Sequence, residues 1–213
     1  RPIDEIALNQ ALFEKVGADI IGVIINKVQP DKLDFIKHYC GKALENMNLK
    51  LLGVIPENTK LSEPSLSQII NEISGECLNS TNNIQSKKIK KVIIGAKTGL
   101  STIDDIEEGT LIISSADRED VIQSCIKSNK AAMLSGIILT GKINLNDATL
   151  ADIQASQIPF IISNDSSYSV ISCMNKMNIK TQPHDTDKIS IIKEILKSNV
   201  DLKEIEKAFE LSL

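Results

Sequence analysis

The sequence predicts an α/β protein built on parallel sheets, with helices forming the outer layers, and three observations carry that expectation. Short unbroken apolar runs, such as Ile20-Ile21-Gly22-Val23-Ile24-Ile25, suit strands buried on both faces. Between them lie longer segments whose apolar residues recur at helical spacing. Strand and helix alternate along almost the whole chain, the order required where parallel strands are joined by helical crossovers.

Residues 3–16 place Ile3, Ile6, Ala7, Leu12, Phe13 and Val16 on one helical stripe, and Gly17 closes that helix. Residues 19–28 read as a central strand ending in Asn26-Lys27. Pro30-Asp31 opens a helix carrying Leu33, Phe35, Ile36 and Tyr39, and residues 51–56 form another short buried strand. Pro64 is expected in the first turn of a helix through Leu66, Ile69, Ile70 and Ile73. Residues 75–86 then interrupt the alternation with Gly, Asn, Ser, Thr and Gln and almost no apolar content, which marks a domain boundary. The organisation read from this is a first part over residues 1–75, a linker over 76–89, a second domain over 90–198 and a terminal helix over 199–213.

The second alternation begins with a strand at 92–94 and a short acidic helix at 101–108. A strand follows at 110–114, then a helix containing Val121, Ile122, Cys125 and Ile126, for which Asp117 is the expected cap. Strands at 136–139 and 159–163 alternate with helices at 147–155, 166–177 and 187–197. Asp201-Leu202-Lys203-Glu204 has the form of a capping box for a last helix with Ile205, Ala208, Phe209 and Leu211 along one side.

Composition excludes several classes of function. With 42% hydrophobic and 24% charged residues, a packed core is expected and global disorder is not. Only 3% is aromatic, so that core rests on Ile, Leu and Val. A net charge of -4 and a pI near 5.3 argue against a nucleic-acid partner, which calls for a basic stripe. The basic run Lys87-Lys88-Ile89-Lys90-Lys91 reads as solvated linker leading into a strand. Cys40, Cys77, Cys125 and Cys173 are widely spaced and no CxxC pair occurs, so neither a disulfide framework nor a zinc site is indicated. Reduced thiols and the lack of a long apolar run place the chain in the cytoplasm, away from membranes. A start without Met, already inside a helix pattern, reads as a piece of a longer or processed chain.

In open α/β sheets ligands bind outside the carboxyl ends of the strands, near helix N-termini. There the sequence sets Gly95-Ala96-Lys97, Ser114-Ser115-Ala116-Asp117-Arg118, Thr140-Gly141-Lys142 and Asn164-Asp165-Ser166-Ser167. Small hydroxyls, a Gly and an Arg on one rim could hold a phosphate, a nucleotide or a small acid; Ser, Asp and Asn also stand there simply as helix caps. In the first half the same position holds Asn26 and Pro56-Glu57-Asn58. No GxxxxGK[ST], GxGxxG or GxSxG motif occurs, so the chain holds no complete catalytic site of those kinds. His38 falls in a helix and His184 in a loop beside a cap, and neither is read as catalytic.

Ser115-Ala116-Asp117-Arg118-Glu119-Asp120-Val121, Gly136-Ile137-Ile138-Leu139-Thr140-Gly141 and Ile158-Pro159-Phe160-Ile161 resemble the DRTGG domain found in the middle of long bacterial phosphate acetyltransferases. Asp117-Arg118 and Thr140-Gly141 match its namesake residues, with Lys142 replacing the last Gly. Gly22 to Val28 and Leu51 to Pro56 resemble the C-terminal part of a dethiobiotin-synthetase-like P-loop domain, which precedes the DRTGG domain in those enzymes. The resemblance covers nearly the whole chain.

The resemblance implies a partial P-loop-type unit followed by a DRTGG domain, both of three-layer α/β form. It implies a regulatory region that senses a metabolite or nucleotide and supports a homo-oligomer, with no cofactor of its own and with ATP or another nucleotide in a parent protein. Ser115, Asp117, Arg118, Thr140, Gly141 and Asn164 are the candidate ligand residues. Asn26, and Pro56 beside it, carry over as a nucleotide-base pocket. Two other readings stand: an ATP-dependent enzyme of the dethiobiotin synthetase type lacking its P-loop half, and a dimerisation module that binds no small molecule. For the last, the apolar side of the terminal helix and the sheet edges supply the surface.

Overall fold

The computed structural model describes residues 2–79, 84, 87–142, 145–183 and 185–210. His184 and Leu211 lie outside the described residues, as does most of the polar stretch at 80–86. The chain is α/β and divides into two compact units, residues 1–61 with 181–213 and residues 62–180.

In the first unit, helix α1 (Pro2–Lys15) is followed by strand β1 (Val23–Val28), helix α2 (Leu33–Asn46) and strand β2 (Leu51–Pro56). Helices α8 (Thr186–Asn199) and α9 (Leu202–Glu210) complete the unit. Strands β1 and β2 form a two-stranded parallel sheet. Val200 makes an antiparallel bridge to Gly53 on the outer side of β2, and the Asp201 N–H donates to the Leu52 carbonyl at 2.8 Å. Gly53 is required there, because a Cβ would stand 2.5 Å from the Asn199 carbonyl oxygen.

Three expectations for this unit are corrected. β1 is not a central strand: among the described residues it pairs only with β2, and Ile21 and Ile24 are each 40% exposed. The stripe of α1 is largely open to solvent, with Leu12, Phe13 and Val16 all exposed. With one partner among the described residues, β1 keeps an open edge and its apolar run is only partly buried. The capping box of α9 is half formed. Asp201 accepts from the Glu204 N–H, while the Glu204 carboxylate turns to Lys50 at 2.7 Å because the Asp201 N–H is already committed to Leu52.

The second unit holds helix α3 (Leu66–Glu72), strands β3 (Glu76–Cys77), β4 (Lys91–Ile94), β5 (Thr110–Ser115), β6 (Leu134–Thr140) and β7 (Phe160–Ser163), and helices α4 (Gly99–Asp104), α5 (Glu119–Lys127), α6 (Asp147–Ala155) and α7 (Ser167–Lys176). The sheet order is β3-β7-β6-β5-β4, parallel except for β3, which runs antiparallel to β7. Alternation along each strand separates two cores. Ile112, Ile137, Leu139 and Phe160 pack with Val121, Ile122, Cys125 and Ile153 from α5 and α6, while Leu111, Ile113, Ile138 and Ile161 pack with Leu66, Ile69 and Val170 from α3 and α7. This unit therefore has three layers. Its strands β4 to β7 follow one another in space as in sequence, so right-handed crossovers lay α4, α5 and α6 on one face.

The expected boundary differs. The described residues of 76–89 are part of the second unit and not a linker, and α3 belongs with it as well. Glu76–Cys77 pairs with Ile162 and Ile161, and the Leu78 N–H donates to the Phe160 carbonyl. Asn79, 7% exposed, donates to the carbonyls of Ile153, Ser156 and Ile158 and accepts from the Phe160 N–H at 3.0 Å. The basic run is also built in. Ile89 is buried, Lys87 donates to the Leu134 carbonyl, and the Lys88 carbonyl accepts from Ser135. Residues 181–199 belong to the first unit, where α8 packs on β2. Pro64 stands before the helix it was expected to open; Ser65 caps α3 in a complete capping box with Gln68.

Candidate ligand site at the strand ends

Helices α4 to α7 start from one rim of the second unit, where β4 to β7 end. Arg118 is the most heavily bonded residue on it. Its Nε donates to Asp120 Oδ1 at 2.7 Å and its Nη2 to Asp120 Oδ2 at 2.9 Å, a bidentate pair. Nη1 donates to the Gly95 carbonyl and Nη2 also to that of Lys97 at 2.7 Å. Asp120 in turn accepts the Gly99 N–H at 3.0 Å, at the start of α4. The Arg118 hydrogen bonds hold the Asp120 carboxyl down to about 2, against a burial effect that opposes them, with the Gly99 N–H adding to the depression. The Arg118 guanidinium is pushed up, by the Asp120 hydrogen bond first. The pair therefore ties the loop after β4 to the start of α5.

That arrangement corrects two expectations. Asp117 does not cap α5: the N-cap is Arg118, whose side chain makes no capping hydrogen bond. Four of the five Arg118 guanidinium N–H groups are committed to protein acceptors, where a guanidinium open to a ligand was expected, and one Nη1 hydrogen is left over.

Ser115 and Asp117 are exposed on the same rim. Thr140 is buried, its Oγ1 donating to the Ser114 carbonyl at 3.2 Å and lying 2.7 Å from Ser167 Oγ. Gly141 takes φ 85°, with open space where a Cβ would stand. Its N–H donates to the carbonyls of Ser163 and Asp165, fastening the turn after β6 to the end of β7. This brings Gly141 beside Asn164, which is exposed and lines a cavity of about 410 Å³ together with Ser74, Glu76, Lys142 and Ile162. The structure thus separates the six candidates. Gly141 and Asn164 meet next to a cavity, Thr140 braces α7, and Arg118 with Asp120 braces α4. Sequence reasoning treated Lys142 only as a departure from the family pattern and passed over Glu76 and Ser74; the polar stretch that hid them carries no motif.

In the first unit Asn26 is exposed and its Oδ1 accepts from the Lys27 N–H at 2.8 Å, beside a Lys27 backbone at φ 57°. Pro56 ends β2, where the Glu57 N–H donates to the Val28 carbonyl. A cavity of about 580 Å³ follows, lined by Pro30, Glu57, Asn58, Lys60, Ile191 and Ile195 among others. Neither Asn26 nor Pro56 lines it. His38 is edge-on to Tyr39 in α2, and among the described residues no cluster of His, Cys, Asp and Glu could hold a metal ion. No helix of the described residues is long and apolar enough to cross a membrane.

Curated relatives are phosphate acetyltransferases. That of Pseudomonas putida is 25% identical over 191 residues, 85% of this chain and 27% of the relative. The enzyme of Nitratidesulfovibrio vulgaris is 23% identical over 203 residues, 91% of this chain and 29% of the relative. The Escherichia coli enzyme is 20% identical over 210 residues, 96% of this chain and 28% of the relative. The chain thus spans less than a third of the length of these relatives and is homologous to their N-terminal region. A solved structure of the CBS and DRTGG domains from the regulatory region of Clostridium perfringens pyrophosphatase, complexed with the activator diadenosine tetraphosphate, covers 81% of this chain and 86% of its own at 16% identity. Its TM-score of 0.45 is too low to carry a statement about this chain. The DRTGG domain model matches residues 68–177, from within α3 to just past the end of α7. With the Arg118–Asp120 clamp and the Thr140-Gly141 turn both inside that span, the chain belongs to the DRTGG domain family.

Proposed function

We propose that this chain is a non-catalytic regulatory region that binds a small metabolite or nucleotide and assembles as a homo-oligomer, in the manner of a module attached to acetyl-CoA and acetyl phosphate metabolism. The observation that carries this reading is the Gly141 turn. It is open, anchored to β7 by two backbone hydrogen bonds, and it borders a cavity of about 410 Å³ that includes Asn164. A volume of that size lies within the range of small-molecule sites. Asn164 and Gly141 are the contact residues, with Ser115 and Asp117 further along the rim, and Arg118 holds the rim in shape without touching the ligand. The place of action is the cytoplasm, with neither nucleic acid nor membrane as partner.

Equilibrium dialysis of the chain against ATP, NADH, pyruvate and coenzyme A at millimolar concentration tests the reading. Binding of at least one, weakened by Asn164→Ala, is expected. Absence of binding by any of the four counts against it and favours a purely structural dimerisation module.

The first unit is read as the C-terminal part of a dethiobiotin-synthetase-like P-loop domain. This is supported by the parallel pair β1–β2, with Asn26 and Pro56 at its carboxyl ends. The cavity of about 580 Å³ just beyond Pro56 favours a second reading, in which a parent protein uses ATP there. Binding of ATP that is lost in Asn58→Ala but kept in Asn164→Ala would support that second reading.

A further inference from the structure

Three stretches of chain converge on the cavity beside β7. Glu76 sits on β3 directly opposite Ile162, Asn164 follows the end of β7, and Lys142 follows the anchored Gly141 turn. Among the described residues Ser74 completes the lining and Ile162 is its one apolar member. The described lining therefore holds one cationic and one anionic side chain. These two form no ion pair with each other, and neither is paired with any other described residue. Opposite charges that share a cavity without meeting leave both ends open to a ligand carrying the complementary charges.

Resting on the metabolite-binding reading above, we propose that this cavity selects a zwitterion, the simplest being a free α-amino acid, with Lys142 receiving its carboxylate and Glu76 its ammonium group. A simple anion satisfies Lys142 but is repelled by Glu76, and a simple cation meets the reverse arrangement. A zwitterion is attracted at both ends, and its charges remain paired as it leaves bulk water. The Asn164 amide can donate to a carboxylate or accept from an ammonium, and the Ser74 hydroxyl can do the same. The polar lining suits a small hydrophilic molecule, and about 410 Å³ leaves room for the side chain of an amino acid against Ile162.

The test is isothermal titration of the full chain with the common L-amino acids, accompanied by propionate and ethylamine as the single-charge counterparts of alanine. The four metabolites of the dialysis experiment are included. At least one amino acid is expected to bind. Its deaminated and decarboxylated counterparts are each expected to bind about tenfold or more weaker, the loss of one charge-assisted contact. Lys142→Ala and Glu76→Gln should each lower its affinity by a similar factor with an unchanged circular dichroism spectrum, and Lys203→Ala, on the terminal helix, should leave it intact. Binding of pyruvate or a nucleotide without any amino acid overturns the zwitterion proposal and leaves the regulatory reading standing. The zwitterion proposal also falls if propionate binds as well as alanine or if Glu76→Gln binds normally. Failure of every compound in both panels overturns both.

Discussion

Arg118 and Asp120 hold each other through two hydrogen bonds, and together they reach Gly95, Lys97 and Gly99. The Arg118 and Asp120 side chains are 32% and 51% exposed, so solvent screening limits what the ion pair adds. Arg118→Ala should destabilise the chain by about 1 kcal/mol in urea unfolding, and Arg118→Lys should recover little because the bidentate geometry is lost. The Asp120 carboxyl is depressed in the folded state from 3.8 to about 2. Its contribution is therefore present above the unfolded value and is lost as pH falls from about 4 towards 2. Asp120→Asn should flatten the pH dependence of stability in that window, measured by urea unfolding at pH steps. At Gly141, where φ is 85° and nothing crowds the Cβ position, Gly141→Ala should cost about 1 kcal/mol from the backbone alone, and Gly141→Asn less, because Asn tolerates that conformation. The turn was legible in the Thr140-Gly141 pair. The anchoring of Arg118 was not, since two of its acceptors are backbone carbonyls of the β4–α4 loop, which leave no trace in side-chain identity.

Among the elements, β3 departs furthest from what the sequence suggests. A two-residue strand has no periodicity to read, and Glu76 and Cys77 lie in a stretch whose composition signals a linker. What makes them structural is Asn79, whose amide meets three carbonyls and one N–H contributed by the end of α6, the α6–β7 connection and β7. Asn79→Ala should cost about 2–3 kcal/mol in thermal or urea unfolding, since it strands buried backbone groups. Asn79→Asp should be no milder, because an ionised carboxylate cannot donate to the three carbonyls. The longer strands of the second unit were legible because each is a compact apolar run, and two cores are there to bury both faces. The same kind of run in β1 misled, because only β2 is present beside it. Burial on two faces depends on neighbours that a single strand's residues do not encode.

At the scale of the whole molecule, the two units share one chain in an interleaved way: residues 181–213 return to complete the unit begun by residues 1–61. The terminal helix carries Phe209 at 61% exposure, and Leu202 is 39% exposed. If that helix supports the proposed homo-oligomer, Phe209→Glu should lower the mass measured by light scattering towards that of one chain while leaving the circular dichroism spectrum unchanged. The pairing of β3 with β7 has a further consequence, for the order of events during synthesis. Asn79 and its partner Phe160 are separated by 81 residues. At ordinary elongation speeds roughly 4–16 s pass between their translation. Throughout that interval the segment 76–79 has left the ribosome's decoding site with its permanent partner not yet made, so the second unit can close its sheet only once β7 emerges. The segment that reads as the least structured is thus translated early and locked late, which leaves it open for that interval to a chaperone or a protease acting on the nascent chain.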